Sequence, residues 1–194
     1  MHFNHDFIVF DLETTDTEWD RRIIEIGACR ISRDLEIQDT FYTKVFPGIV
    51  VSDYGLQLTA NTQEELNKAP QFTLAIEQFE KWVGNIKRHR LAAWGNYFDV
   101  NVLRKEYGKW GRPYPFSGTV YDVKTVALGY LAVSGRRTDS CSVASMVKLF
   151  GGPDGPYHNA LFDAEQTARI FRQCLIELSE SVWINKERLV LRRG

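Results

Sequence analysis

A chain of 194 residues, 44% hydrophobic and 25% charged, has the length of a single domain with a substantial core, and its composition excludes extended disorder. The formal net charge of -1 conceals an acidic excess in the first half and a basic excess in the second, which suits a metal in one place and phosphate in another as well as an ordinary mixed surface. Cys29, Cys141 and Cys174 are odd in number and widely spaced, which excludes a paired zinc site and fits free thiols in a reducing compartment.

In chain order, Phe7 to Leu12, Ile23 to Ser32 and Asp39 to Val45 read as strands, and their short links predict an antiparallel meander. Thr14 to Arg22 is polar apart from Trp19 and reads as a loop, and Pro47 to Asp53 as irregular. A short helix is expected from Thr62 to Lys68. Phe72, Ala75, Ile76, Phe79, Trp82, Val83 and Ile86 have the spacing of an amphipathic helix over Phe72 to Ile86. Leu91 to Trp94 reads as a short strand followed by a helix from Phe98 to Tyr107. Tyr121-Asp122-Val123 opens the next ordered unit, leading to Thr125 to Leu131. Further helices are expected at Ser142 to Leu149 and Asp163 to Glu180, separated by the turn Gly151 to Pro156. Strands in a meander, then strands alternating with helices, predict an α/β domain with a mixed central sheet flanked by helices. No apolar run approaches membrane-spanning length and the amino terminus lacks a secretion signal, so a soluble, intracellular (cytoplasmic) protein without membrane attachment is expected.

Strand alternation puts Asp11 and Glu13 on one face with Val9 beneath them, and two adjacent carboxylates repel unless a cation or proton lies between them. Asp99 falls near the start of a helix, where it is either a metal ligand or a cap competing with Asn96. His158 and Asp163 would diverge by about 140° on one continuous helix. With His158 in a loop or first turn and Asp163 in the helix, the imidazole can instead bend over a metal and accept a proton from water. Oxygen-rich sets of this kind suit Mg²⁺ or Mn²⁺. Each residue alone has an ordinary explanation as a cap, a strand-end acid or a loop histidine.

Taken together, Phe10-Asp11-Leu12-Glu13-Thr14, Asn96-Tyr97-Phe98-Asp99 and His158-Asn159-Ala160-Leu161-Phe162-Asp163 resemble, in order and separation, the three motifs of the DEDDh 3′-5′ exonucleases. The resemblance covers essentially the whole chain as one exonuclease domain and implies a ribonuclease H-like fold. It further implies two-metal hydrolysis, with Asp11, Glu13, Asp99 and Asp163 as ligands of two divalent cations and His158 as general base. Asp11 would bridge both ions, Glu13 and Asp163 would hold the ion that activates water, and Asp99 would support the second. Leu56 to Gln63, with Ala69-Pro70, Phe72 and the Ile23 to Ala28 strand, is similar to the ERI-1-like branch, which includes enzymes trimming structured RNAs and histone messenger RNA ends. That branch carries glycine and isoleucine where this chain has Ala60 and Asn61.

The expected partner is therefore RNA with an accessible 3′ end, a loop donor or acceptor near Leu58 to Gln63 reading the 2′-hydroxyl. DNA 3′-end trimming and a noncatalytic nucleic-acid-binding scaffold are the alternatives. Candidate substrate contacts are Thr14, Trp19, Arg21, Arg22, Leu58 and Phe98, with Trp19 stacking on a base and an arginine meeting phosphate. Lys87 to Arg90, Arg104-Lys105, Arg136-Arg137 and Arg192-Arg193 are candidate backbone guides, most of which would be ordinary solvated charge.

Overall fold

The computed structural model describes residues 3–15, 21–95 and 97–191, with side chains described to residue 180. Five strands form one mixed sheet in the order β3-β2-β1-β4-β5: β1 (Asp6–Thr14), β2 (Ile23–Ile31), β3 (Ile37–Lys44), β4 (His89–Ala93) and β5 (Tyr121–Asp122). β1, β2 and β3 make the expected antiparallel meander, while β4 runs parallel to β1 and β5 parallel to β4. A parallel partner must be reached by a crossover. α1 (Asp53–Leu58), α2 (Gln63–Lys68) and α3 (Phe72–Val83) make the crossover to β4, and α4 (Tyr97–Lys109) the crossover to β5.

β1 is a near-continuous apolar run because both its faces are covered. Ile8, Phe10 and Leu12 pack against Phe72, Ile76 and Phe79 of α3 and Val100 and Leu103 of α4. Phe7 and Val9 point the other way, against α5 (Val123–Ser134), α6 (Val143–Leu149) and α7 (Ala160–Leu191) through Ala127, Met146, Phe171 and Cys174. The face that carries Phe7 and Val9 continues to Asp11 and Glu13, so the two carboxylates lie under the start of α7.

The apolar stripe of α3 ends three residues sooner than its spacing predicts, because Gly84 at φ 72° closes the helix and Ile86 begins a separate 3₁₀ turn. α2 starts where Thr62 and Glu65 cap each other's backbone amides. α1 was not expected. Its six residues lack a readable apolar period, and it forms because Ser52 caps the Gly55 amide and Gly55 presses against the Thr15 carbonyl.

Candidate active site

β1 and β4 are parallel, so their carboxyl ends open at the same edge, the usual place for a site on such a sheet. Asp11 and Glu13 come from β1, and Asp99 from the first turn of α4, which follows β4. The Leu12 amide donates to Asp99 Oδ1 at 3.3 Å, tying that carboxylate beside Asp11. Asp163 comes from the first turn of α7. His158 precedes that helix in a left-handed conformation, φ 65°, so its ring is freed from the helical direction that would carry it away from Asp163. Its backbone amide donates to Asp163 Oδ2 at 2.8 Å. One ligand atom each from Glu13, His158 and Asp163 lie within 4.8 Å of one another, and Asp163 Oδ1 is buried without a hydrogen-bond partner. The structure thus brings Asp11, Glu13, Asp99, His158 and Asp163 together.

Burial and mutual repulsion raise these carboxylates. Asp11 lies well above the usual carboxylate range through burial and the charges of Asp99, Glu13, Asp163 and Glu25. Glu13 is pushed up to about 8 by burial, Asp163, Glu25 and Asp99. Burial raises Asp99 to about 7 against the opposing Leu12 amide, and burial also raises Asp163 against the opposing His158 amide and ring. Carboxylates crowded together and raised by burial, beside an orphaned carboxylate oxygen, form a donor set that fits a divalent metal.

Three supporting residues escaped the sequence reading. Glu25, 1% exposed, stands opposite Glu13 across the strand pair and accepts from Asn61 Nδ2 at 2.6 Å and the Ala160 amide at 3.1 Å. Its signal was an acid within an otherwise apolar strand. Asn61 is buried with it, and Asp122 secures the turn after β4 by accepting from Gly95 N at 3.2 Å. Gly27 is required where β2 meets α7, since a Cβ there would collide with the backbone of Ala160 and Leu161.

The expected substrate contacts divide. Leu58 and Phe98 are 37% and 38% exposed rather than core, and the Arg21 guanidinium lies 4.5 Å over the Phe98 ring. Thr14 is partly buried just past a register shift in β1, and the Arg22 backbone pairs with Thr15. Trp19, Asn96 and Arg192-Arg193 lie outside the described residues. Residues 87–90 open β4 at its amino end, opposite the carboxylates, so that run does not guide a strand into the site. Arg104 and Arg136 lie over aromatic rings of their own domain. All three cysteines are free; burial pushes Cys29 and Cys174 up to about 12, unlike an activated nucleophile.

The fold is that of the ribonuclease H-like class. The chain belongs to the RNase T exonuclease family, whose profile matches residues 8–171. It is 32% identical over 177 residues to a DNA polymerase III PolC-type from Caldanaerobacter subterraneus subsp. tengcongensis, spanning 90% of this chain and 12% of that relative. The nuclease domain of 3′hExo, a DEDDh family member bound to rAMP, superposes with a TM-score of 0.77 at 23% identity, covering 90% of this chain and 94% of that one. E. coli Exonuclease I in complex with a dT13 oligonucleotide gives 0.76 at 15% identity, covering 92% and 43%. The ribonuclease H-like expectation holds, whereas the ERI-1-like placement is not carried by the PolC-type relatives. Family members use divalent metal ions, and this acidic set with His158 offers such a site. Among the described residues no helix is long and apolar enough to cross a membrane.

Proposed function

We propose that the chain is a metal-dependent 3′-5′ exonuclease that releases nucleoside monophosphates from single-stranded 3′ ends. The observation that carries this reading is the convergence of four carboxylates, two of them buried and two half-buried, with one histidine at the carboxyl edge of β1 and β4. Asp11, Glu13, Asp99 and Asp163 would hold two cations, Mg²⁺ or Mn²⁺, which supply positive charge to the scissile phosphate and acidify a water. Asp11 has carboxylate neighbours on both sides and is the residue suited to serve both ions, with Glu13 and Asp163 toward the His158 side and Asp99 toward α4. His158, exposed at the rim, takes the proton of the attacking water and can pass it to solvent. Water oxygen would bond to phosphorus as the bond to the preceding 3′ oxygen breaks, and that oxygen would take its proton from solvent. Leu58, and Phe98 with Arg21 over its ring, offer an apolar and cationic platform for the terminal nucleotide.

Similarity to a DNA polymerase III PolC-type chain favours DNA as the substrate. The physical ground for RNA weakens in the Leu58 to Gln63 segment, where Thr59 donates to the Gly55 carbonyl, Asn61 turns inward and Gln63 accepts from the Val51 amide. RNA remains the second reading, favoured by the likeness of that segment to RNA-trimming enzymes. Matched 5′-labelled DNA and RNA strands, incubated with Mg²⁺, Mn²⁺ or EDTA, test both. Single-nucleotide ladders only with metal, and a higher kcat/KM on DNA, are expected. Binding without cleavage would instead identify a scaffold, and internal cuts would overturn the exonuclease reading.

A further inference from the structure

Glu25 is a buried hub. Its two hydrogen-bond partners come from separate places: Asn61 in the link between α1 and α2, and the Ala160 amide at the first residue of α7. Beside Ala160, Asn159 caps α7, its Oδ1 accepting from the Phe162 amide at 3.0 Å. His158 stands just before this anchored pair, Asn159-Ala160, and Asp163 just after it. Whatever fixes the pair therefore fixes both functional side chains.

Asn61 is committed to the task at a visible cost. Ala60 takes φ 51°, a conformation that residues with a Cβ adopt against steric resistance, and it turns Asn61 into the interior. There Nδ2 reaches Glu25 and also Thr59 Oγ1 at 3.0 Å and the Thr59 carbonyl at 3.3 Å, while Oδ1 is left buried without a partner. An orphaned amide oxygen is tolerated because the donor end is required by the carboxylate. The shortest bond of the hub is the one this side chain makes.

We propose that Asn61 is a positioning residue of the exonuclease site: by holding Glu25 it fixes the start of α7, and with it the places of His158 and Asp163. This rests on the exonuclease reading of that site. The bond also makes the segment that carries Leu58 and the segment that carries the base one mechanical unit. Asn61→Asp sets two carboxylates against each other. Glu25→Gln sets two amide donors against each other, and turning the Asn61 amide over to relieve this surrenders its bonds to Thr59. Combining the two substitutions rebuilds the bond to position 25 with its polarity reversed, the amide oxygen now on β2 still accepting from Ala160, while the donor bonds to Thr59 stay lost.

The test compares the native chain, both single variants and the double variant well below the lowest Tm. It measures kcat and KM on a 5′-labelled single strand, and Mn²⁺ affinity of EDTA-stripped protein by calorimetric titration. Each single variant is expected to lose roughly tenfold or more in kcat, with weakened Mn²⁺ binding and KM within about threefold of native. The double variant should exceed both parents in both readouts, short of native by what the lost Thr59 bonds contribute. Native kcat and Mn²⁺ affinity in the single variants, or a double variant no better than its parents, would overturn the proposal. Should the single variants not fold, Asn61→Ala removes the amide that holds Glu25 without adding a charge; it should lower kcat and weaken Mn²⁺ binding, and native values for it would overturn the proposal equally. If the native chain releases no nucleotide, the exonuclease reading fails, while the Mn²⁺ comparison still decides whether Asn61 positions the α7 start.

Discussion

Gly27→Ala should disable the site without touching any residue that meets substrate. A Cβ at position 27 of β2 would overlap the Ala160 carbonyl and the Leu161 amide nitrogen, backbone atoms that no rotamer change can move aside. The first turn of α7 must withdraw, by a distance on the order of 1 Å, to recover ordinary contact. Overpacking of this kind costs about 1–3 kcal/mol, which in a domain of this size lowers Tm by roughly 2–4 °C per kcal/mol. The effect on rate should be larger than the effect on stability. Asp163 and His158 ride on the displaced turn, and misplacement by about 1 Å reduces turnover by about 100-fold. Single-turnover cleavage of a labelled strand at saturating Mn²⁺, with Tm from calorimetry, separates the two effects. Gly129→Ala is the control, because Gly129 lies exposed within α5 with open space around its missing Cβ; there a gain of up to about 1 kcal/mol and native turnover are expected. Turnover within about threefold of native for Gly27→Ala, at unchanged Tm, would refute the close approach of β2 and α7 as the device that places the site.

Asp11→Asn should abolish cleavage far more than strand binding, since a neutral amide cannot supply the same charge to two cations; Asp163→Asn should follow it, and near-native metal-dependent turnover by folded protein would sink the assignment. His158→Ala should lower the single-turnover rate by about 10²–10⁴-fold while leaving most of the Mn²⁺ affinity, and an unchanged pH-rate profile would remove His158 from the role of base. Metal-free protein should lose stability as pH rises. Glu13, raised by burial from an ordinary 4.5 to about 8, binds more protons folded than unfolded in that interval, so its contribution is full below about 4.5 and is lost as pH rises through about 8. Asp11, Asp99 and Asp163 shift in the same direction, and together the change should reach a few kcal/mol. Added Mn²⁺ should therefore raise Tm more at pH 8.5 than at pH 5, and equal shifts at both would contradict the site's electrostatics.

The strands were legible where burial on both faces made an apolar run, as in β1, and the helices where capping chemistry or a long stripe marked them, as with Thr62 and α3. Asp11, Glu13, Asp99, His158 and Asp163 were legible as a set because each lies at the edge of an apolar element and their order matched a known pattern. Glu25 was hidden because its meaning depends on contacts with Asn61 and Ala160, 36 and 135 positions away. Asn61 seemed only a departure from the branch pattern until its amide was found against that carboxylate. Leu58 and Phe98 were ambiguous because an apolar residue reads the same in a core and on a nucleotide platform. The basic stretches could not be placed because charge runs carry no direction; the sheet topology puts residues 87–90 at the end of β4 away from the carboxylates.

If these four carboxylates hold two cations where a terminal nucleotide is cut, metal and nucleotide must be found together there. Anomalous diffraction from crystals of the native chain grown with Mn²⁺ and a nucleoside monophosphate tests it directly. Two Mn²⁺ peaks are predicted, both in contact with Asp11, one shared with Glu13 and Asp163 and the other on the Asp99 side, with the nucleotide phosphate between them and His158 facing the water on the first. Mn²⁺ bound elsewhere with this cluster empty, or a nucleotide seated away from it, would contradict the account.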